Sequence, residues 1–151
     1  MKLLLPDGAA PSADPIFDIL TKYKTIAVVG LSSNPARPSY GVTEYMQSSG
    51  YQIIPVNPNE TDVLGEPSYA SLEEVPQKLE IVDIFRRTEE VPPVVDAAIR
   101  AGAKVIWMQQ GIANEPAAEK ARAAGLAVVM DACILVEHKR RRQKLAPTTP
   151  G

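Results

Sequence analysis

Five short apolar segments alternate with helical segments, and this alternation constrains the fold more than any other feature of the chain. The apolar segments span residues 25–31, 51–56, 81–85, 104–108 and 126–130. Nearly continuous apolar strands separated by helices are typical of a parallel sheet covered on both faces. The sequence therefore predicts an α/β, Rossmann-like fold: a doubly wound five-stranded parallel sheet in the order 3-2-1-4-5, with helices on both faces.

Length and composition are sufficient for one buried core, because the chain has 151 residues and 45% of them are hydrophobic. We expect residues 1–13 to form an irregular lead-in and residues 14–138 to form the domain. Asp14 and Asn114 precede helical patterns and are predicted to cap two of the helices. Residues 139–151 are rich in lysine and arginine, lack apolar periodicity and are predicted to form a flexible basic tail.

Charge and cysteine content limit the classes of function. The formal net charge is −2, which argues against a globally basic nucleic-acid-binding protein, and the basic run at 139–142 is predicted to be solvated. Cys133 is the only cysteine, so an intrachain disulfide is excluded and a reducing, cytoplasmic location is expected. The apolar run at residues 1–6 is too short for a signal-peptide core, and we expect an unprocessed soluble protein without a membrane partner.

The segment that begins at the end of the first predicted strand, residues 30–40, is predicted to bind an anion. It consists of small, turn-forming residues with one arginine, Arg37, and leads into a helical pattern. Amide groups at a helix N-terminus favour phosphate, and a guanidinium can grip it with two hydrogen bonds. The alternative is an ordinary turn with a surface arginine. The segment reads Gly30-Leu31-Ser32, which departs from the Gly-x-Gly-x-x-Gly pattern of dinucleotide-binding proteins.

Three further segments end predicted strands and should meet this loop, in a crevice that the predicted order places at the carboxyl ends of the first and fourth strands. Asn57 and Pro58 follow the second strand, where NAD enzymes usually carry an acidic residue for the ribose, so NAD is disfavoured. The alternative for this pair is a simple turn. Phe85, Arg86 and Arg87 close the third strand, and a planar ring beside two cations suits adenine and an additional phosphate. The alternative for these residues is a core ring flanked by solvated arginines.

The amide side chains after the fourth strand, Gln109 and Gln110, precede Gly111 and could bind amide groups of a ligand.

No catalytic or metal-binding arrangement is predicted. Cys133 and His138 both follow the last strand without an acidic partner, and a structural role is favoured for each. Asp83 and Asp131 are expected to form local hydrogen bonds rather than to act as an acid and base. One histidine and one cysteine are too few for a recognisable metal-ligand cluster.

Considered together, six segments resemble the small stand-alone CoA-binding proteins, whose fold is that of the CoA-binding domain in the α subunit of succinyl-CoA synthetase. The resemblance extends over about residues 24–138. It depends on VGLSSNPARPSY at 29–40, IPVNP at 54–58, VDIFR at 82–86, KVIWMQ at 104–109, GIAN at 111–114 and VVMD at 128–131. Relatives often have Met-Asp-Arg-Cys after the fifth strand, whereas this chain has alanine at position 132.

The resemblance implies a site for CoA. Because no catalytic arrangement is predicted, we expect a non-catalytic protein that binds CoA or acyl-CoA and acts as a carrier, a sensor or the partner of another enzyme. Phosphates would be held by the loop, and the nucleotide and pantetheine by the other segments: Gly30, Leu31, Ser32, Ser33, Asn34, Arg37, Asn57, Pro58, Phe85, Arg86, Gln109, Gln110 and Gly111. The alternatives are a minimal NAD(P)-linked oxidoreductase, a CoA-dependent transferase that uses Cys133, and an interaction protein whose basic tail docks on nucleic acid. The sequence indicates neither an acyl group nor an oligomeric state.

Overall fold

The computed structural model describes residues 1–145, in which helices flank a six-stranded sheet. The strands are β1 (Lys2–Leu4), β2 (Thr25–Val29), β3 (Gln52–Val56), β4 (Asp62–Val63), β5 (Glu66–Pro67), β6 (Ile81–Ile84), β7 (Val105–Met108) and β8 (Ala127–Met130). The helices are α1 (Pro15–Lys22), α2 (Pro38–Ser48), α3 (Val91–Arg100), α4 (Glu115–Ala123), α5 (Ile134–Arg140) and α6 (Arg142–Leu145). Short 3-10 turns span Leu72–Glu74 and Thr88–Glu90, and β4 pairs with β5 in a separate hairpin.

The predicted α/β, Rossmann-like class is confirmed, but the predicted strand order is wrong. The sheet runs β1-β8-β7-β6-β2-β3, so the five predicted strands lie in the order 2-1-3-4-5. The third predicted strand, β6, pairs in parallel with β2 rather than beyond β3. Both orders obey the right-handed crossover rule, which therefore does not choose between them.

Pro55 gives the physical reason for the observed order. A proline has no N–H to donate, so it is tolerated in an edge strand and not where both sides of a strand must pair. The predicted order would have placed β3 between two neighbours. In the structure β3 pairs with β2 on one side, and on the other side Pro55 only accepts a hydrogen bond from the Tyr69 amide.

The N-terminal segment differs from the expected irregular lead-in at Lys2–Leu4. These residues form β1, which pairs antiparallel with β8 through Lys2 to Met130 and Leu4 to Val128. Leu3 packs against the core on one face of the sheet, and Leu4 packs against the core on the other. A three-residue strand is too short to give a periodic pattern, which is why sequence analysis did not detect it.

The core consists of two layers, one on each face of the sheet, as predicted for helices on both faces. Buried residues of α3 and α4 pack on one face, and buried residues of α1, α2 and α5 pack on the other. Trp107 is fully buried on β7, and its indole N–H donates to the Ala132 carbonyl at 2.9 Å. None of the described helices is long and apolar enough to cross a lipid bilayer.

The C-terminal segment differs from the expected flexible tail over residues 139–145. Helix α5 continues to Arg140, and α6 follows it. The guanidinium of Arg141 contacts the carboxylate of Asp14 at 2.8 Å and that of the buried Glu137 at 2.9 Å, so the segment packs on the start of α1. Residues 146–151 of the predicted tail lie outside the described residues.

Candidate functional site

A cleft of about 1000 Å³ opens at the carboxyl ends of β2, β3, β6 and β7. It lies above the boundary between the neighbouring strands β2 and β6. After β2 the chain runs to α2 on one face of the sheet, and after β6 it runs to α3 on the opposite face. Ligands of open α/β sheets bind at such a switch point, and the volume is at the upper end of the range for small-molecule sites. The predicted position, between the first and fourth strands, is corrected to the first and third.

Nine of the thirteen predicted site residues line the cleft. They are Gly30, Ser32, Arg37, Asn57, Phe85, Arg86, Gln109, Gln110 and Gly111. The other four do not line it: Leu31 is fully buried in the core, whereas Ser33, Asn34 and Pro58 are exposed. The four strand ends that the sequence analysis associated with one another therefore do meet in space.

Gly30 directly follows β2 and has a backbone conformation that other residues rarely adopt. Its φ is +90°, and a Cβ at this position would lie 2.9 Å from the main-chain oxygen of Phe85. The same Cβ would lie 3.4 Å from Nε of Arg86. The absence of a side chain thus lets the loops after β2 and β6 approach each other at the base of the cleft.

The predicted anion site assumes free amide groups in the loop after β2, but three of these groups are bonded within the protein. The Ser32 amide donates to Oγ of Ser39 at 3.1 Å, and the Asn34 amide donates to Oγ of Ser32 at 3.0 Å. The Ala36 amide donates to Oδ1 of Asn34 at 2.9 Å. A ligand would therefore have to use other donors or displace one of these internal contacts.

Three arginines supply the positive charge of the cleft. Arg37 comes from the loop before α2, and Arg86 and Arg87 follow β6. Arg87 lies 3.6 Å from Glu90, and both side chains are largely exposed. Arg37 and Arg86 form no ion pair with any other residue in the range 1–145.

Asn57 connects the loops after β2 and β3. Its side-chain amide donates to the Leu31 carbonyl at 3.0 Å, and its Oδ1 accepts from the Asn59 amide at 3.0 Å. Only 8% of the residue is exposed, so both ends of the side chain hold the cleft wall together. The turn that sequence analysis offered as an alternative is therefore present, within the cleft wall.

The sequence pattern of the CoA binding domain matches residues 24–139, which is most of the chain. The chain belongs to this CoA-binding family. The match covers all the strand ends that line the cleft. The resemblance inferred from the six sequence segments is therefore confirmed.

Relatives of this CoA-binding domain include small proteins and parts of larger enzymes. The chain is 44% identical over 128 residues to the uncharacterized protein YneT of Bacillus subtilis, covering 85% of this chain and 95% of YneT. A solved hypothetical protein from Pyrococcus horikoshii is 39% identical with a TM-score of 0.82, covering 93% and 98% of the two chains. Acetate–CoA ligase (ADP-forming) II of Archaeoglobus fulgidus is 26% identical over 61% of this chain, which corresponds to 14% of the enzyme.

Two side-chain contacts fix the turn after β7 of the CoA-binding domain. The Gly111 amide donates to Oδ1 of Asp131 at 2.7 Å, and Oε1 of Gln109 accepts from the Ile134 amide at 3.1 Å. Gln109 is 4% exposed and lines the cleft, and its amide nitrogen has no hydrogen-bond partner among residues 1–145. The local role predicted for Asp131 is therefore observed.

Asp83 differs from that prediction. It lies in the middle of β6, and its Oδ1 has no hydrogen-bond partner in the part of the chain that the structure describes. Burial raises the pKa of this carboxyl well above its usual range, because no positive group compensates for the lost solvation. Asp83 therefore keeps its proton to a higher pH in the folded protein than an exposed aspartate does.

Cys133 and His138 lie in different surroundings. Cys133 is half-buried and lines the cleft at the start of α5. His138 is buried outside the cleft between the rings of Tyr45 and Tyr51, and its Nδ1 shares a 2.8 Å hydrogen bond with the Tyr45 hydroxyl. Desolvation, with the charges of Lys24 and Arg142, lowers the pKa of His138. The two residues therefore form no nucleophile and base pair.

Further residues of the cleft lie outside the predicted set. They include Ser39, Glu60, Thr88, Glu89, Ile112 and Cys133. Thr88 and Glu89 follow the arginines after β6, and Cys133 follows β8, so their positions after strands were a usable signal. Glu60 was not detectable in this way, because it lies four residues beyond β3 and reaches the cleft only through the turn at Asn57.

Proposed function

We propose that this protein binds coenzyme A in the cleft at the β2–β6 switch point. The observation that carries the proposal is the presence of Arg37 and Arg86 in the cleft without an ion-pair partner among residues 1–145. A ligand with several phosphates would supply the missing anions. Membership of the CoA-binding family favours CoA over other phosphorylated nucleotides.

Each part of the ligand is assigned to one segment in this proposal. The loop from Gly30 to Asn34, with Arg37, would hold the diphosphate, and Arg86 would hold the additional phosphate on the ribose. Phe85 would pack on the adenine, and Asn57 and Pro58 would border it as a wall. The free amide nitrogen of Gln109, with Gln110 and Gly111, would face the pantetheine, whose own amide groups can accept and donate hydrogen bonds.

The proposal includes a non-catalytic role as a carrier, a sensor or the partner of an enzyme, in the cytoplasm. His138 is engaged by Tyr45 away from the cleft, which supports binding without a general base. The similarity to 14% of an acetate–CoA ligase supports a role in which such a domain works with catalytic domains, here on another chain. Calorimetry with CoA and with acetyl-CoA determines whether the preferred ligand carries an acyl group.

Calorimetry with CoA, acetyl-CoA, dephospho-CoA and NAD tests the proposal. We expect CoA to bind more tightly than dephospho-CoA, because Arg86 would lose its phosphate partner, and NAD to bind weakly or not at all. Equal affinity for CoA and dephospho-CoA would remove the assigned role of Arg86. No binding of CoA or acetyl-CoA by folded protein would overturn the proposed function.

A CoA-dependent transferase is the second candidate, because the thiol of Cys133 lines the same cleft. A transferase would form a thioester between this sulfur and the acyl group of acyl-CoA, and it would release the CoA thiol. Incubation with acetyl-CoA, followed by mass spectrometry of the intact protein, distinguishes the candidates. An added acetyl group that is absent from Cys133→Ser supports the transferase, whereas an unchanged mass supports binding alone.

A further inference from the structure

The carboxylate of Glu60 lies on the loop that is proposed to hold phosphate. The Ser33 amide donates to Oε2 of Glu60 at 2.7 Å, which joins the turn after β3 to the loop after β2. Glu60 also lines the cleft. Within residues 1–145 it forms no ion pair with Arg37, Arg86 or Arg87, so the main-chain amide is its principal contact.

The turn at Asn57 holds Glu60 in this position. The Glu60 amide donates to the Asn57 carbonyl at 3.2 Å, and the side chain of Asn57 is bonded to both neighbouring loops. The hydrogen bond from Ser33 lowers the pKa of Glu60, so the carboxylate is charged at neutral pH. An anion is therefore already present at the phosphate loop of the free protein.

A second anion cannot use the same N–H while the carboxylate remains there. We propose that Glu60 occupies the position on the Ser33 amide that a ligand phosphate takes, and thereby sets the affinity of the cleft for phosphorylated ligands. This proposal rests on the proposed function, because it assumes that CoA binds in this cleft. The phosphate would displace the carboxylate, which would turn toward solvent, and the repulsion between the two anions would weaken binding.

Glu89 provides a matched control. It also lines the cleft and is exposed, but it forms no hydrogen bond with the Gly30–Arg37 loop among the described residues. Glu89→Gln therefore removes one negative charge from the same cleft without releasing an amide. Glu60→Gln removes the charge at the amide, and Glu60→Ala removes the acceptor as well.

Calorimetric titration of these variants with CoA is the first test. We expect both Glu60 variants to bind CoA about fivefold more tightly than the wild type, from the repulsion of two charges about 4 Å apart in water. Glu89→Gln should change the affinity by less than about twofold. Equal gains for Glu60→Gln and Glu89→Gln would mean that the loss of any negative charge in the cleft strengthens binding, which would overturn the proposal. Weaker binding by the Glu60 variants would also overturn it, because the carboxylate would then contact the ligand.

A second test does not depend on CoA. In ¹⁵N-labelled protein, the Ser33 amide resonance should shift in Glu60→Ala, and inorganic pyrophosphate should perturb it at lower concentration than in the wild type. If the Ser33 amide responds to pyrophosphate in this way but CoA does not bind, the Glu60 proposal stands and the proposed function fails. If CoA binds equally to the wild type and both variants, and pyrophosphate does not distinguish them, the function stands and the Glu60 proposal fails. A thermal melt of each variant establishes that it is folded.

Discussion

The main-chain oxygen of Phe85 lies 2.9 Å from the point that a Cβ on Gly30 would occupy. The ends of β2 and β6 therefore approach each other over a residue without a side chain, and both residues line the cleft. The same two strands form the switch point of the sheet. A residue without a side chain at position 30 is therefore needed both for folding and for the shape of the cleft.

Gly30→Ala should destabilise the protein and weaken CoA binding. The positive φ and the contact with the Phe85 carbonyl together cost at least about 2 kcal/mol, since main chain cannot move aside as a flexible side chain can. Gly41→Ala is the control, because Gly41 lies within α2 with no atom near its Cβ position; it should stabilise by about 0.5–1 kcal/mol. Urea unfolding measures both, and equal effects would contradict the argument.

Arg37→Ala and Arg86→Ala should each weaken CoA binding by about 1.5–3 kcal/mol, the usual loss for a hydrogen bond to a charged group. Arg86→Ala should also reduce the difference in affinity between CoA and dephospho-CoA. Arg100→Ala is the control, since Arg100 lies at the end of α3 in an exposed ion pair with Glu73 and should leave calorimetric affinity unchanged. Wild-type affinity in both cleft variants would place the ligand elsewhere.

Asp83 should make stability depend on pH in an unusual direction. The pKa of its carboxyl is raised in the folded state, whereas the unfolded value is near 3.8, so the folded state retains a proton that the unfolded chain loses. This contribution to stability is fully present below the unfolded pKa and is lost as the pH rises through the folded pKa. Asp83→Asn should therefore gain stability relative to the wild type as the pH rises from the unfolded pKa toward the folded pKa. Urea unfolding at several pH values measures this difference, and a pH-independent difference would refute the assignment.

His138 should act in the opposite direction. Because its pKa is lowered from 6.5 mainly by burial, its contribution is present above the unfolded pKa and is lost as the pH falls through the folded pKa. It is the only histidine in the chain, so one NMR resonance reports its titration. We expect a midpoint below 6.5. Tyr45→Phe should reduce stability at neutral pH by about 1 kcal/mol, whereas Tyr23→Phe, whose hydroxyl bonds to no described residue, should not.

Features coded by neighbouring residues could be predicted from the sequence. Asp14 and Asn114 cap α1 and α4 as expected, with side-chain oxygens that accept from the amides of Phe17 and Ala117. The strand ends that form the cleft were also predictable, because carboxyl ends of parallel strands share one edge of a sheet. That reasoning does not depend on strand order, so the wrong order did not change which segments meet.

Features that depend on distant segments could not be predicted in the same way. The neighbour of β2 is decided by where the chain returns after the β4–β5 hairpin, and only Pro55 indicated an edge position for β3. Glu60 reaches Ser33 across 27 positions through contacts of Asn57, which neither segment shows alone. The ion pairs of Arg141 with Asp14 and Glu137 similarly join the two ends of the domain.

The opposite placement of α2 and α3 has a consequence for motion. A molecule seated above the seam between β2 and β6 would contact residues that lead into both helices, so it would bridge the layers on the two faces of the sheet. Occupancy would then restrain both layers at once.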